Sequence, residues 1–154
     1  MCGIIGFIGY DICLSYLFNG LTMLQNRGYD SAGICSIYNN EFILTKFAST
    51  NDQSALDKLE ETNNQHKNST IGIAHTRWAT HGAKTDTNSH PHLDYNKQFC
   101  IVHNGIIENY SLLKEMLISK GIQFITQTDT EVIVNLISYN YQQFKNVTEA
   151  IIMS

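Results

Sequence analysis

The stretch AGICSIYNNEFILTKF, residues 32–47, decides how the chain is built. Residues 32–38 and 41–47 are two runs rich in strand-forming side chains, with only Asn39 and Asn40 between them. Asparagine tolerates the positive φ of a two-residue turn, so the spacing predicts an antiparallel hairpin. Upstream, the apolar run 4–9 predicts a strand. Residues 11–25 then set Leu14, Leu17, Phe18, Leu21 and Leu24 at helical spacing ahead of Gly28. Downstream, 52–61 predicts a short polar helix, and the Asn- and Gln-rich 62–69 predicts a solvated loop. Residues 70–75 and 98–103 predict strands. Between them the polar segment 76–96 holds the only tryptophan and the only proline and, counted with His75, four of the six histidines. So much special chemistry on a non-repetitive segment marks a site. Residues 107–120 predict a helix stopped by Gly121, and 122–126 a brief strand. Thr128 and Glu131 have capping-box spacing ahead of an apolar stripe of Val132, Ile133, Leu136, Ile137 and Tyr141. Residues 147–154 begin another helix and stop without a Gly, a Pro or a polar tail, so the domain reads as cut short. Hairpins mixed with helices predict an α+β fold rather than a parallel sheet.

A length of 154 residues favours one domain, and 43% hydrophobic with 16% charged residues describes a globular chain. Ten basic residues against fourteen acidic ones leave a formal charge of -4, which disfavours nucleic acid as a partner. The glycine-punctuated N-terminus lacks the basic flank of a signal peptide, and no apolar run approaches the roughly 18–20 residues that cross a bilayer. Cys2, Cys13, Cys35 and Cys100 form no CxxC pair and sit in apolar surroundings, which points to a reduced, cytoplasmic setting.

Cys2 is the most informative position. Removal of Met1 would make it the N-terminal residue, with its own α-amine, of pKa about 7.7–8.0, available to take the thiol proton. The plainer alternative is a small residue at the start of a strand. Asn104 and Gly105 follow a predicted strand end, where a side-chain amide and an unhindered N–H can face one oxygen; they also suit an ordinary Asn-Gly turn. Arg77 can grip a carboxylate bidentately or be a surface cation. Asp129 can pair with an ammonium or favour the helix dipole. His75, His81, His90, His92 and His103 form a rival constellation for a metal, although neither HExxH nor paired CxxC motifs accompany them. No Gly-rich phosphate cradle is present.

Six segments, taken together and in order, carry a resemblance. They are Met1-Cys2-Gly3-Ile4-Ile5-Gly6, Arg27-Gly28-Tyr29-Asp30-Ser31-Ala32-Gly33, His75-Thr76-Arg77-Trp78-Ala79-Thr80-His81-Gly82, Asn88-Ser89-His90-Pro91-His92, His103-Asn104-Gly105-Ile106-Ile107-Glu108-Asn109 and Thr128-Asp129-Thr130-Glu131-Val132-Ile133. With them the chain resembles the class II glutamine amidotransferases, which have the N-terminal-nucleophile hydrolase fold, a four-layer αββα sandwich. Tyr29-Asp30 and Trp78-Ala79-Thr80 fit the branch that forms the N-terminal glutaminase domain of glutamine–fructose-6-phosphate aminotransferases, as opposed to the purine-pathway branch. Gln25-Asn26 departs from the acidic and aromatic pair more usual there.

The resemblance implies that Cys2 is the nucleophile and its amine the base, with Asn104 and Gly105 stabilising the oxyanion. It implies that Arg77 binds the glutamine carboxylate and Asp129 its ammonium, with Thr80 and His81 shaping the pocket and Trp78 on a loop that closes over it. The reaction implied is hydrolysis of glutamine to glutamate and ammonia with no metal or organic cofactor, as the ammonia-supplying half of glucosamine-6-phosphate synthesis. L-glutamine is the implied small-molecule partner. The family domain usually continues beyond the point where residues 1–154 stop, and two sugar-isomerase domains that bind fructose 6-phosphate follow it. The other expectation is therefore a truncated, inactive homologue or gene fragment that at most binds glutamine or a partner.

Overall fold

The computed structural model describes residues 2–78 and 83–154, with Arg27 given by its backbone alone. The chain divides into two compact units, Met1–Pro91 with Val102–Asn104 and His92–Ile101 with Gly105–Ser154.

In the first unit, β1 (Gly3–Ile8), β2 (Ser31–Tyr38), β3 (Glu41–Ala48) and β4 (Ile71–Arg77) form an antiparallel sheet in the order β1-β4-β2-β3. The expected hairpin is β2–β3, and its turn residues Asn39 and Asn40 have φ of 51° and 63°. Two helices, α1 (Cys13–Leu24) and α2 (Ala55–Thr62), cover one face. Their Cys13, Leu17, Leu21 and Leu59 pack with Ala32, Ile34 and Ala74 of the sheet. Burying each such leucine contributes about 1.5–3 kcal/mol. Gly72 permits the close approach of α1, because a Cβ there would stand 2.7 Å from Leu17 Cδ1.

The period-2 alternation of strands puts His75 and Arg77 on the opposite face, beside Gly33 and Ser31 of β2. Residues 86–91 lie against that face. A Cβ on Gly33 would be 2.1 Å from the His90 carbonyl oxygen. Lys46 of β3 holds the same segment, its Nζ donating to the carbonyls of Thr87, Ser89 and Pro91 at 3.0, 2.7 and 3.1 Å.

The second unit has a two-stranded ladder, β5 (His92–Leu93) with β6 (Cys100–Ile101), and three helices, α3 (Tyr110–Ser119), α4 (Asp129–Phe144) and α5 (Val147–Ile152). Leu117, Ile122, Val132 and Leu136 form its core.

Three local expectations need correction. The segment 62–69 is not a solvated loop: it contains a 3-10 turn, Asn63–His66, and buries His66 completely. The predicted strand 98–103 shrinks to Cys100–Ile101 because the Asp94 carboxylate captures the N–H groups of Gln98 and Phe99, both at 2.7 Å, and bends the chain before a ladder can form. Residues 122–126 form no strand, since the Glu131 carboxylate accepts the Ile125 and Thr126 N–H groups at 2.9 and 2.7 Å. Glu131 therefore closes only half of the expected capping box. Its N–H donates to Thr128 Oγ1, while its side chain serves the preceding loop.

Among the described residues no helix is long and apolar enough to cross a membrane.

Candidate active site

Antiparallel register brings Cys2 to the end of β4, because the neighbouring Gly3 pairs with Thr76. The Gly3 N–H donates to Thr76 Oγ1 at 3.1 Å, and that hydroxyl donates to the Leu24 carbonyl at 3.4 Å. A side chain at position 3 would collide with both partners, its Cβ lying 2.7 Å from Leu24 Cδ1 and 2.9 Å from Thr76 Oγ1. The half-buried Cys2 thiol is held by the next residue of the strand end: the Trp78 N–H donates to Sγ at 3.2 Å, and Sγ lies 3.7 Å from the Trp78 carbonyl.

Asn104 reaches the same place from residues 102–104. Its Nδ2 donates to the Cys2 carbonyl at 3.2 Å, and its Oδ1 is 2.8 Å from His75 Nε2. His75 is fully buried, and its ring stacks on that of His90 with centroids 4.3 Å apart and planes 17° apart. Burial pushes the His75 pKa down to about 4; the Asn104 bond opposes the shift, and the Arg77 charge adds to it. The imidazole is therefore neutral at pH 7.

Arg77, the last residue of β4, is buried at 7% exposure, and its carbonyl accepts the Asp30 N–H at 3.1 Å. Gly28 lies against this strand end, where a Cβ would be 2.8 Å from the Arg77 carbonyl carbon and 3.0 Å from the Trp78 nitrogen. The Trp78 ring is 43% exposed and meets Tyr29 edge-on at 5.3 Å. Thr80 and His81 lie outside the described residues.

Cys2, Asn104, Arg77 and Trp78 thus belong to the first unit, and Gly105 and Asp129 to the second. Gly105 follows Asn104 directly in the chain. Asp129 opens α4, and its Oδ2 accepts the Ile107 N–H at 2.8 Å, which ties the 105–107 loop to the helix start. His92 pairs with Thr128 Oγ1 at 3.2 Å, His90 stacks on His75, and among the described residues no three His, Cys, Asp or Glu side chains could hold a metal ion.

Sequence reading gave no role at this site to Thr76, to the His75–Asn104 pair or to Gly28, which it used only as the stop of the helix 11–25. The available signal was alternation, which places His75 on the same strand face as Arg77. What remains is a cysteine whose thiol accepts the Trp78 N–H and whose carbonyl accepts the Asn104 side-chain amide, with the buried Arg77 one residue before Trp78. Such a set can attack a carbonyl and supply donors to the oxygen that becomes charged.

The sequence profile of a family described as "Glutamine amidotransferase domain" matches residues 47–149. The glutamine–fructose-6-phosphate aminotransferase (isomerizing) of Caldanaerobacter subterraneus is 49% identical over 142 residues, which is 92% of this chain and 22% of that protein. The enzyme of the same name from Methanococcus maripaludis is 48% identical over 149 residues, 97% of this chain and 24% of its own length. The chain thus spans about a quarter of the length of these curated relatives.

Among solved structures, glutamine phosphoribosylpyrophosphate amidotransferase from B. subtilis, complexed with ADP and GMP, superposes with a TM-score of 0.77 at 25% identity, covering 98% of this chain and 31% of that one. A structure titled as the allosteric regulatory enzyme of purine biosynthesis gives 0.79 at 26% identity, covering 98% and 32%. The fold is that of the N-terminal-nucleophile hydrolases, in the α+β class expected from the sequence.

Proposed function

This chain belongs to the glutamine amidotransferase domain family, class II, and from that premise we propose that Cys2, exposed as the N-terminal residue by removal of Met1, hydrolyses the side-chain amide of L-glutamine. The α-amine of Cys2 takes the thiol proton, and the thiolate adds to the amide carbon. The Asn104 side-chain amide and the Gly105 N–H stabilise the resulting oxyanion. The tetrahedral adduct collapses with loss of ammonia, whose nitrogen takes the proton held by the amine. Water then cleaves the γ-glutamyl thioester to glutamate and restores the thiol. Arg77 binds the substrate α-carboxylate and Asp129 its α-ammonium, Thr80 and His81 shape the pocket, and Trp78 sits on the loop that closes over the thioester.

The observation that supports this reading best is the meeting of Cys2, Trp78 and Asn104. They come from three distant parts of the chain, and the sulfur accepts the Trp78 N–H while the Asn104 amide donates to the Cys2 carbonyl. Residues 1–154 are read as part of the glutaminase domain. The relatives' names include fructose 6-phosphate, which we read as the acceptor of the ammonia; in this proposal sugar-isomerase domains bind it, in a cytoplasmic enzyme of glucosamine-6-phosphate synthesis.

The test is the intact mass of the chain after exposure to a diazoketone analogue of glutamine. The expected outcome is a single adduct on protein lacking Met1, blocked by glutamine and absent from Cys2→Ala. Removal of Met1 without a glutamine-protected adduct would overturn the reading.

A further inference from the structure

We propose that His75 is a positioning residue for the oxyanion donor: its Nε2–H holds Asn104 Oδ1 and so keeps the Asn104 Nδ2 turned toward Cys2. The inference deepens the glutaminase reading and rests on it for its functional meaning.

The orientation of the Asn104 amide follows from two contacts. Its nitrogen is 3.2 Å from the Cys2 carbonyl oxygen, which can only accept. The flipped amide would set oxygen against oxygen there, so Nδ2 faces Cys2 and Oδ1 faces His75. Oδ1 also only accepts, and it lies 2.8 Å from His75 Nε2, which must therefore carry the hydrogen. In that tautomer Nδ1 is a bare lone pair. It has no partner in hydrogen-bonding geometry among the described residues, a cheaper state for a lone pair than for a stranded N–H. The imidazole itself is fixed from two sides, by its seat on β4 between β1 and β2 and by the parallel stack on His90.

Burial, reinforced by the Arg77 charge and opposed by the Asn104 bond and the His103 backbone, keeps the ring neutral, so the donor is the same Nε2–H throughout the neutral pH range. Without this anchor only the bond from Nδ2 to the Cys2 carbonyl restrains the Asn104 amide about its terminal torsion. An oxyanion donor that must be reoriented during the reaction loses most of its value.

The first test reads the tautomer directly, by multiple-bond 1H–15N correlation on the 15N-labelled wild-type chain. A protonated Nε2 with a bare Nδ1 on His75 is the expected result. A protonated Nδ1 would overturn the proposal, whether or not the chain turns over glutamine. The expected tautomer in a chain that hydrolyses no glutamine would support the orientation of Asn104 and refute the glutaminase reading.

The second test is kinetic. His75→Phe is expected to lower kcat for glutamine hydrolysis roughly 10- to 100-fold with KM changed by less than about threefold. Alkylation of Cys2 by iodoacetamide, a displacement that forms no oxyanion, should keep its rate. His75→Gln, which can present an N–H to Oδ1, should recover much of the loss. On an Asn104→Ala background His75→Phe should add little. An unchanged kcat in His75→Phe, additive losses in the double variant, or failure of His75→Gln to exceed His75→Phe would each overturn it.

Discussion

Two buried imidazoles couple the stability of the first unit to pH. His66 is enclosed by hydroxyls, with Ser36 Oγ 2.8 Å from Nδ1 and Thr45 Oγ1 2.9 Å from Nε2, and burial lowers its pKa from 6.5 to about 4. His75 is lowered to about 4 by the same cause. With folded pKa values below the unfolded one, the unfolded chain binds the protons first. Stability is therefore complete above about pH 6.5 and falls as the pH drops toward 4, by on the order of 3 kcal/mol for each histidine. Urea midpoints taken at pH 7, 5.5 and 4.5 should decline in that order, and a flat series would contradict the burial of both rings. Gly33 makes a different demand. Its replacement by Ala would drive a Cβ into the His90 carbonyl and lift residues 86–91 from the sheet, at about 1–3 kcal/mol in urea unfolding. Loss of the His75–His90 stack should accompany it.

At the scale of elements, the start of α4 organises its surroundings. Thr128 caps the helix by accepting the Glu131 N–H, and Thr128→Ala should cost about 1 kcal/mol. The Glu131 side chain is 3% exposed and binds two consecutive backbone N–H groups of the preceding loop. Glu131→Gln offers one carbonyl oxygen in place of two. Amide exchange at Ile125 and Thr126 should quicken in that variant, while exchange in the middle of α4 stays as in the wild type. Equal acceleration along the whole helix would mean that Glu131 acts on α4 itself and not on the loop. Asp129 works in the same region through the Ile107 N–H, so the helix start gathers loops on both sides of α3.

Over the whole molecule, two separate hydrophobic clusters divide the labour. The first seats α1 and α2 on the four-stranded sheet, and the second joins α3 to α4. Leu17 is fully buried at the centre of the first, where it fills the space over Gly72. Leu17→Ala should cost about 2–5 kcal/mol in urea unfolding followed through first-unit probes. The sheet puts His75 and Arg77 on the face away from α1 and α2. Cys2, His75 and Arg77 lie outside the hydrophobic cluster, which is built from other positions of the same strands.

The sequence by itself determined the hairpin 32–47, the main helices and the identity of the candidate residues. Periodicity, turn chemistry and motif order are local properties that survive in one dimension. Only the tertiary structure decided what depended on a distant partner. His66 looked solvated because its hydroxyl partners lie 30 and 21 residues away on strands. The strand expected at 98–103 shortened to Cys100–Ile101, and the one expected at 122–126 did not form, because the carboxylates of Asp94 and Glu131 satisfied neighbouring N–H groups first. His75 was visible as a histidine, but its bond to Asn104 spans 29 residues and exists only once β4 and residues 102–104 are brought together. A backbone donor takes whichever acceptor folding places nearest, and the sequence names the donors without saying where they meet.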